Sequence, residues 1–352
     1  MAFSRGWKKI MPRIVSLLVI AAGLSGCASM GTSGGNAWHV VARYAIGGDG
    51  GWDLTSIDPE RRRLFLSHGD RVEVVDADTG AAIAQIPGAR THAIALAPEA
   101  GRGFVSNGSS DSLTAFDLTT LKVIETIKVT GNNPDALLHD PFTGHIFAFN
   151  GRSANATVVD PRTLQVVATV ALPGKPELAV SDGAGNVFVN LEDRSEIAKI
   201  DAATGTVVAT WSLSPGEEPS GLAIDAAHQR LFAVCSNRRM MVLDSSSGRI
   251  VQELPIGDGP DSAAFDPSTG LAFSSNGEGT LTIVHEDDAD HFRVVATVVT
   301  QRSARTLALD TVHHRIYLPA AELGGTPAPT AEHPHPRPAI VPGTFSVLVV
   351  GM

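Results

Sequence analysis

Basic residues are scarce in this sequence. Lysine and arginine number 27 against 37 aspartates and glutamates, which gives a net charge of −10 at pH 7 with histidine neutral. Such a field repels nucleic acids and other polyphosphates unless a local basic patch overrides it. The longest basic run, Arg61 to Arg63, falls in a predicted hairpin turn. Nucleic-acid binding is therefore the function that the sequence favours least.

Cysteine and the short motifs of catalysis are also sparse. The chain has two cysteines, Cys27 and Cys235. It contains no Cys-x-x-Cys-His haem motif, no Gly-x-Ser-x-Gly turn, no His-Glu-x-x-His zinc motif and no phosphate-binding glycine loop. Cys235 follows the apolar residues 232–234, so we expect a buried, unreactive thiol. These absences favour a non-catalytic protein, but an enzyme whose site is assembled from distant loops stays open.

Glycine and proline, by contrast, are plentiful. The 35 glycines and 21 prolines, with few helix formers in runs, predict an all-β protein rich in turns. Seven short apolar segments recur, and their last residues lie 39 to 44 positions apart, at Asp58, Ala97, Asp140, Ser181, Asp225, Asp266 and Asp310. A period near 42 residues that holds four strands is typical of a propeller blade. The sequence therefore predicts a seven-bladed β-propeller of four-stranded antiparallel blades.

Each repeat also carries the same turn residues. A turn such as Asp140-Pro-Phe-Thr-Gly144 follows the first strand, and the third strand usually ends in aspartate, as at Asp76 and Asp117. Proline presets φ, glycine accepts positive φ, and an aspartate side chain caps backbone N–H groups in turns. The recurring aspartates therefore have a structural explanation that requires no function.

The first strand has no repeat of its own. Residues 39–48 are predicted to be a single β-strand that runs into a glycine turn, and similar segments end other repeats, as at 165–174. The last repeat stops at 344–350 without such a segment. An open arc of blades would leave two apolar faces uncovered. We therefore expect the N-terminal strand to complete the last blade and close the ring.

A series of short motifs recurs in the same order along the repeats: Asp-Pro-x-x-Gly, aromatic-Val-x-Asn (187–190 reads Val-Phe-Val-Asn), Val-x-Val-Asp, Thr-Gly and Val-Val-Ala-Thr-Val. This order resembles the YVTN-repeat, YncE-like seven-bladed β-propellers. The resemblance covers residues 38–352, which we take as a single domain. Blade seven departs from it by an insertion rich in proline and histidine at 320–342. The resemblance implies the fold and export, and it implies no particular chemistry.

The N-terminus is predicted to be a targeting segment. Lys8, Lys9 and Arg13 precede an apolar run at 14–22 that is too short to span a bilayer. The following residues, Leu24-Ser-Gly-Cys27, resemble the lipobox of bacterial lipoproteins. That resemblance implies a signal peptide at 1–26, cleavage before Cys27 and lipidation of Cys27, with an ordinary signal peptide as the alternative.

Lipidation would shape the mature protein in three ways. Residues 27–37 would form a lipidated flexible tether, and Cys235 would have no disulfide partner. Cleavage would remove four basic residues and no acid, which gives a net charge of −14. Ala28, rather than aspartate, follows the cysteine, which favours the outer membrane. We expect the protein to be a periplasmic monomer that is anchored to the membrane by the lipid on Cys27.

The candidate site lies where the first strands begin. In an antiparallel four-stranded blade, the loops that lead into strand one lie at the same end as the loops between strands two and three, here called the top face. The residues at the start of the first strands, called the mouth residues, should ring the central channel: Asp53, His92, Asp135, Glu177, Ser220, Asp261 and Arg305. Beside them come the residues that end the second strands: His68, Asn107, Asn150, Asn190, Asn237 and Asn276.

Carboxylates, a histidine and an arginine at one mouth could bind a divalent cation, a cationic ligand or a sugar-like polyol. The alternative is that the mouth is solvated and polar, as in any propeller, and that the asparagines cap loops. No cofactor is identified beyond a divalent cation at the mouth.

The blade-seven insertion offers a second, weaker metal candidate. Glu332, His333 and His335 have side chains that suit zinc, copper or nickel. Alternating prolines favour an extended lid or solvated loop instead. The acidic segment 287–291 and His313-His314 are predicted to lie in hairpin turns.

Two function classes follow. The first is a non-catalytic module that binds a small molecule or an envelope protein at the top face. The second is a metal-assisted lyase or lactonase, with a divalent ion held by Asp53, Asp135, Glu177, Asp261 and His92 and a histidine or acid as base.

Overall fold

The computed structural model describes residues 37–327, 330 and 338–352. Within that part of the chain, Trp38–Met352 is one compact unit of 28 strands in seven four-stranded antiparallel sheets. The predicted seven-bladed all-β propeller is confirmed. Several predictions concern residues outside this described part: the signal peptide, the tether up to residue 36, Cys27, His333 and His335. No helix within the described residues is long and apolar enough to cross a membrane.

Blades one to three follow one another along the chain. Blade one consists of β2 (Trp52–Asp58), β3 (Arg63–His68), β4 (Arg71–Asp76) and β5 (Ala82–Pro87). Blade two consists of β6 (Thr91–Ala97), β7 (Arg102–Asn107), β8 (Ser112–Asp117) and β9 (Val123–Lys128), with a 3₁₀ turn at Pro98–Ala100. Blade three consists of β10 (Pro134–Asp140), β11 (His145–Asn150), β12 (Asn155–Asp160) and β13 (Gln165–Ala171).

Blades four to seven repeat the pattern. Blade four consists of β14 (Pro176–Ser181), β15 (Asn186–Leu191), β16 (Glu196–Asp201) and β17 (Thr206–Ser212), with a 3₁₀ turn at Glu192–Arg194. Blade five consists of β18 (Pro219–Asp225), β19 (Arg230–Cys235), β20 (Arg239–Asp244) and β21 (Ile250–Pro255). Blade six consists of β22 (Pro260–Asp266), β23 (Leu271–Asn276), β24 (Thr280–Asp288) and β25 (His291–Val299). Blade seven consists of β26 (Ala308–Asp310), β27 (Arg315–Ala320), β28 (Ser346–Gly351) and β1 (His39–Ala45).

The core lies between the blades. Seven separate apolar clusters are found, one at each junction of neighbouring blades. The second and third strands are buried on both faces because each is covered by a neighbouring blade, whereas fourth strands such as β13 are mostly exposed to solvent. Cys235 lies in this core, and burial raises its pKa to about 12, in agreement with the expected unreactive thiol. Burial of apolar area at every junction is the main stabilising force.

The ring closes as predicted. β1 pairs antiparallel with β28, with His39 opposite Gly351 and Tyr44 opposite Val347. The backbone N–H groups of Ile46 and Gly47 both donate to the Phe345 carbonyl, at 3.0 and 2.9 Å. Blade seven is thus built from both ends of the domain, and no blade face at its junction with blade one is left open.

The recurring aspartates cap turns, as expected. Oδ1 of Asp76 accepts from the backbone N–H groups of Asp78 and Thr79 at 3.1 and 2.9 Å. Asp117 makes the same pair of bonds one blade later. The first two arginines of the basic run 61–63 form ion pairs with aspartates. Arg61 pairs with Asp58, and Arg62 pairs with Asp78 and Asp310.

We expect Phe345→Ala to lower the free energy of unfolding by about 3–5 kcal/mol, because the buried ring packs on Trp52 and His68 at 5.7 and 4.2 Å between centroids. Phe142→Ala is the control, since that ring is 53% exposed and its loss should cost less than about 0.5 kcal/mol. Equilibrium unfolding in urea measures both values. Equal losses would contradict a packed junction between blades seven and one.

Candidate functional site

The seven predicted mouth residues line one cavity. It lies at the top face, has a volume of about 340 Å³, and takes one side chain from the start of every first-strand segment: Asp53, His92, Asp135, Glu177, Ser220, Asp261 and Arg305. A ring of blades brings residues that are about 42 positions apart in sequence to a common centre. The structure therefore assembles these side chains; whether they bind a ligand remains a prediction.

A bulge aims these residues inward. In six blades the pairing of strand one with strand two shifts register just after its first pair, as between Pro134 and Leu137 or between Pro260 and Ser262. The mouth residue lies inside the shifted segment. A β-bulge removes a residue from the ladder and redirects its side chain. Asp135 and Asp261 therefore point to the axis instead of into the sheet face.

The residue two positions earlier usually turns the chain. Its φ is positive in five blades, at Arg90, Asn133, Glu218, Gly259 and Ser303. A non-glycine residue in this region costs about 1 kcal/mol or more, so the surrounding contacts must hold the turn. Serines of the second strands fix the backbone that follows: Ser106 Oγ donates to the Asp135 carbonyl at 2.7 Å and Ser67 Oγ accepts from the Asp53 N–H at 2.9 Å.

His92 lies between two carboxylates. Its Nδ1 is 2.7 Å from Asp53 Oδ2 and 3.5 Å from Asp135 Oδ1. Burial disfavours the imidazolium, but the Asp53 hydrogen bond and the Asp135 charge outweigh it and raise the pKa of His92. Burial raises the pKa of Asp135. The three side chains each offer a ligand atom within 4.8 Å of the others, and His92 Nε2 is buried without a hydrogen-bond partner among the residues that the structure describes.

Ion pairs organise the remainder of the mouth. Arg305 pairs with Asp261, lies 3.6 Å from Asp53, and donates to the Trp52 carbonyl at 3.1 Å. Burial raises the pKa of Asp261 to about 6 despite the arginine. On the other side, Lys175 Nζ is 2.9 Å from Glu177 and also pairs with Glu192.

Several residues that line the cavity escaped the sequence analysis: Arg90, Asn133, Arg152, Lys175 and Glu192. They lie in loops, where no periodicity indicates a side chain's direction. Their position in the sequence could have identified three of them as cavity residues. Arg90, Asn133 and Lys175 directly precede the first residue of a first strand.

The residues that end the second strands do not line the cavity. His68, Asn107, Asn150, Asn190 and Asn276 are fully or almost fully buried. The Nδ2 groups of Asn107 and Asn150 donate to Thr114 and Thr157 at 2.9 and 3.0 Å, which ties strand two to strand three. His68 stacks on Phe345. Asn107 Oδ1 also accepts from the loop N–H of Ala89 at 3.0 Å, a contact of the kind that the loop-capping alternative describes.

The predicted hairpin clusters lie where expected. Residues 287–291 form the tip of the β24–β25 hairpin, with the turn at 289–290, and Asp287 pairs with His285 and Arg293. His313 lies in the turn before β27 and pairs with Asp310.

No protein-family model matches the chain, and neither does any curated protein sequence. Among solved structures, the chain is similar to one described as Kuenenia stuttgartiensis hydrazine synthase, with a TM-score of 0.66 and 19% sequence identity over 76% of this chain and 92% of that chain. At this identity the likeness concerns the fold alone. The fold and the site together define the class of seven-bladed β-propellers with a polar central cavity.

The stability of the protein should reveal the raised pKa of Asp261. Its pKa is about 6 in the folded protein and 3.8 in the unfolded chain, so between these values the native state holds a proton that the unfolded state has released. The free energy of unfolding of the wild type, relative to Asp261→Asn, should therefore fall as pH rises from 4 to 6, by at most about 3 kcal/mol.

Asp117→Asn is the control for this measurement. Backbone hydrogen bonds from Thr120 and Thr119 lower the pKa of Asp117, so the wild type should gain stability over this variant as pH rises through the acid range. Urea unfolding at several pH values gives both slopes. A rising slope for Asp261 as well would show that Arg305 outweighs burial.

Proposed function

We propose that this protein is a lipid-anchored propeller of the periplasm, of the YVTN-repeat type, that binds a small polar ligand at the mouth of its central cavity. The observation that carries the proposal is the convergence of one mouth residue from every blade on a single cavity. A volume of about 340 Å³ suits a small molecule better than a protein surface, since ligand sites occupy about 300–1,000 Å³.

The lining indicates what kind of ligand fits. Five carboxylates, four basic side chains and one imidazole face the cavity, so its charge is nearly balanced. Most of these groups pair with one another, whereas Arg90 and Arg152 form no ion pair within the described residues and lie exposed at the rim. A polyol or a zwitterion, with hydroxyl or ammonium groups toward the acids and an anionic or carbonyl group toward the arginines, matches this arrangement.

A metal-assisted lyase or lactonase is the second candidate. The observation that favours it is the Asp53–His92–Asp135 cluster, whose two oxygens and one nitrogen form a ligand set that suits a divalent ion. In this alternative Glu177 or Asp261 would act as base or acid on a substrate in the cavity.

The two candidates separate in one experiment on natively purified protein. Mass spectrometry of released small molecules and metal analysis are applied to the wild type, to Asp135→Asn and to Asp70→Asn. Asp70 is a matched control because it is an exposed acid that pairs with Arg71 and does not line the cavity. We expect a polar molecule to accompany the wild type and Asp70→Asn, and to be reduced at least about tenfold in Asp135→Asn.

Two other outcomes decide against the binding proposal. One equivalent of metal that disappears in Asp135→Asn, with turnover of a lactone by the wild type, would establish the enzyme instead. No bound molecule in any sample, and no change in melting temperature with a panel of sugars, amino acids and betaines, would contradict a ligand site.

Lipid anchoring has its own test. Cells grown with an alkyne-tagged fatty acid should label the wild type and leave Cys27→Ser unlabelled, because the lipobox cysteine would carry the acyl groups. Cys235→Ser should keep the label, since that thiol is buried in the propeller core. Equal labelling of the wild type and Cys27→Ser would contradict the anchor.

A further inference from the structure

A second cluster of ionisable groups lies at the opposite end of the ring from the cavity, here called the bottom face. Asp225 ends β18 of blade five, His228 lies in the turn that follows, and Glu286 belongs to β24 of blade six. The cluster therefore bridges two blades. It has no part in the proposed ligand site.

The two carboxylates are buried and the imidazole reaches solvent. The side chains of Asp225 and Glu286 are each 4% exposed, whereas that of His228 is 57% exposed. His228 Nδ1 is 2.6 Å from Asp225 Oδ2 and 2.9 Å from Glu286 Oε1, and one ligand atom of each residue lies within 4.8 Å of the other two.

Glu286 lacks the partners that a buried carboxylate needs. Both of its oxygens are buried and accept no hydrogen bond from the described residues. The single Nδ1–H of His228 can satisfy only one carboxylate, and its geometry fits Asp225. No lysine or arginine in the described part of the chain pairs with either acid. Buried negative charge without enough partners is strongly unfavourable, so two carboxylates that share a single imidazole favour an added cation.

The same turn in blade seven shows what is missing. Asp310 and His313 repeat the Asp-x-x-His spacing of Asp225 and His228, with His313 Nδ1 3.0 Å from Asp310. There the third group is Arg62, which pairs with Asp310 and lies 3.1 Å from His313. The turn of blade seven thus receives a cation from its neighbour, blade one, whereas the corresponding turn of blade five receives a second carboxylate from its neighbour, blade six.

The hairpin of blade six holds Glu286 in place. β24 and β25 each have nine residues, whereas the corresponding strands of the other blades have six or seven, and their pairing shifts register between Glu286 and Asp288. Arg230 of blade five donates to the Ala289 carbonyl and to Asp290. The Glu286 N–H donates to the Gly270 carbonyl at 2.8 Å. The carboxylate is therefore held against blade five before any ligand arrives.

We propose that Asp225, His228 and Glu286 bind a divalent transition-metal ion, best matched by Zn²⁺, that links blades five and six. Imidazole nitrogen and carboxylate oxygen are both zinc ligands, and three protein ligands leave a fourth position for water on the open side where His228 meets solvent. Calcium and magnesium prefer more oxygens and no nitrogen. The ligand atoms must spread by a few tenths of an ångström to admit the ion, and the exposed imidazole is free to rotate outward.

The test uses the full-length protein freed of metal with a chelator, at pH 8, with ZnCl₂ as the probe. Calorimetry and melting temperature are measured for the wild type, Glu286→Gln, His228→Ala and the matched control His313→Ala. All four also carry Asp135→Asn, which removes the cluster at the cavity. We expect one equivalent of Zn²⁺ with a rise in melting temperature for the parent and for His313→Ala, and binding at least about 100-fold weaker for the two site variants.

The metal-free proteins provide a second readout. Glu286→Gln should melt above the parent without Zn²⁺, because it removes a buried negative charge, and below it at saturating Zn²⁺. His228→Ala changes an exposed side chain and so tests binding even if the glutamine variant folds poorly. Undiminished binding in both site variants, or no binding and no thermal shift for the parent at 1 mM Zn²⁺, would overturn the proposal.

Discussion

The pairing of β1 with β28 is the interaction on which the rest of the structure depends. Each blade has two apolar faces, and only a closed ring covers all fourteen with other blades. The pairing adds the outer strand to blade seven and brings Trp38 against Phe273 of blade six at 5.4 Å. The cavity depends on the same closure, because Arg305 and Asp53 approach each other across the junction of blades seven and one.

The interior of the ring changes in character along its axis. Between the blades lies buried apolar surface, whereas the top of the channel is lined by acids and bases. His92, Lys175 and Arg305 each contact two carboxylates, so each of these three groups is shared. A ligand that enters must therefore exchange partners with existing pairs. Such an exchange favours solutes that present both donors and acceptors and gives little advantage to a simple ion of either sign.

The fold was predictable because its signals are local and repeated. The period near 42 residues, the Asp-capped turns and the missing outer strand of the last repeat each have a direct physical meaning, and together they predict the number of blades and the closure. The mouth residues were predictable for the same reason, since each begins a first strand.

What escaped prediction depends on non-local geometry. Asn107 and Asn150 end their strands at the top face, yet their amides bond to threonines of the third strands, which a strand pattern does not reveal. Lys175 reaches the cavity from a loop. Glu286 meets Asp225 across 61 residues only because β24 is longer than the corresponding strands and its pairing shifts register. No short sequence pattern encodes that encounter.

The bulges at the start of the first strands free the mouth residues of those strands from the packing constraints that apply to residues in a regular ladder. A residue in a regular ladder must fit its neighbours on both faces, so its identity is constrained by packing. A residue displaced from the ladder is constrained mainly by what occupies the axis. Six such positions, with Arg305 ahead of β26 as the seventh residue, surround one opening, so ring proteins of this kind can acquire new specificities while the framework that supports them stays the same.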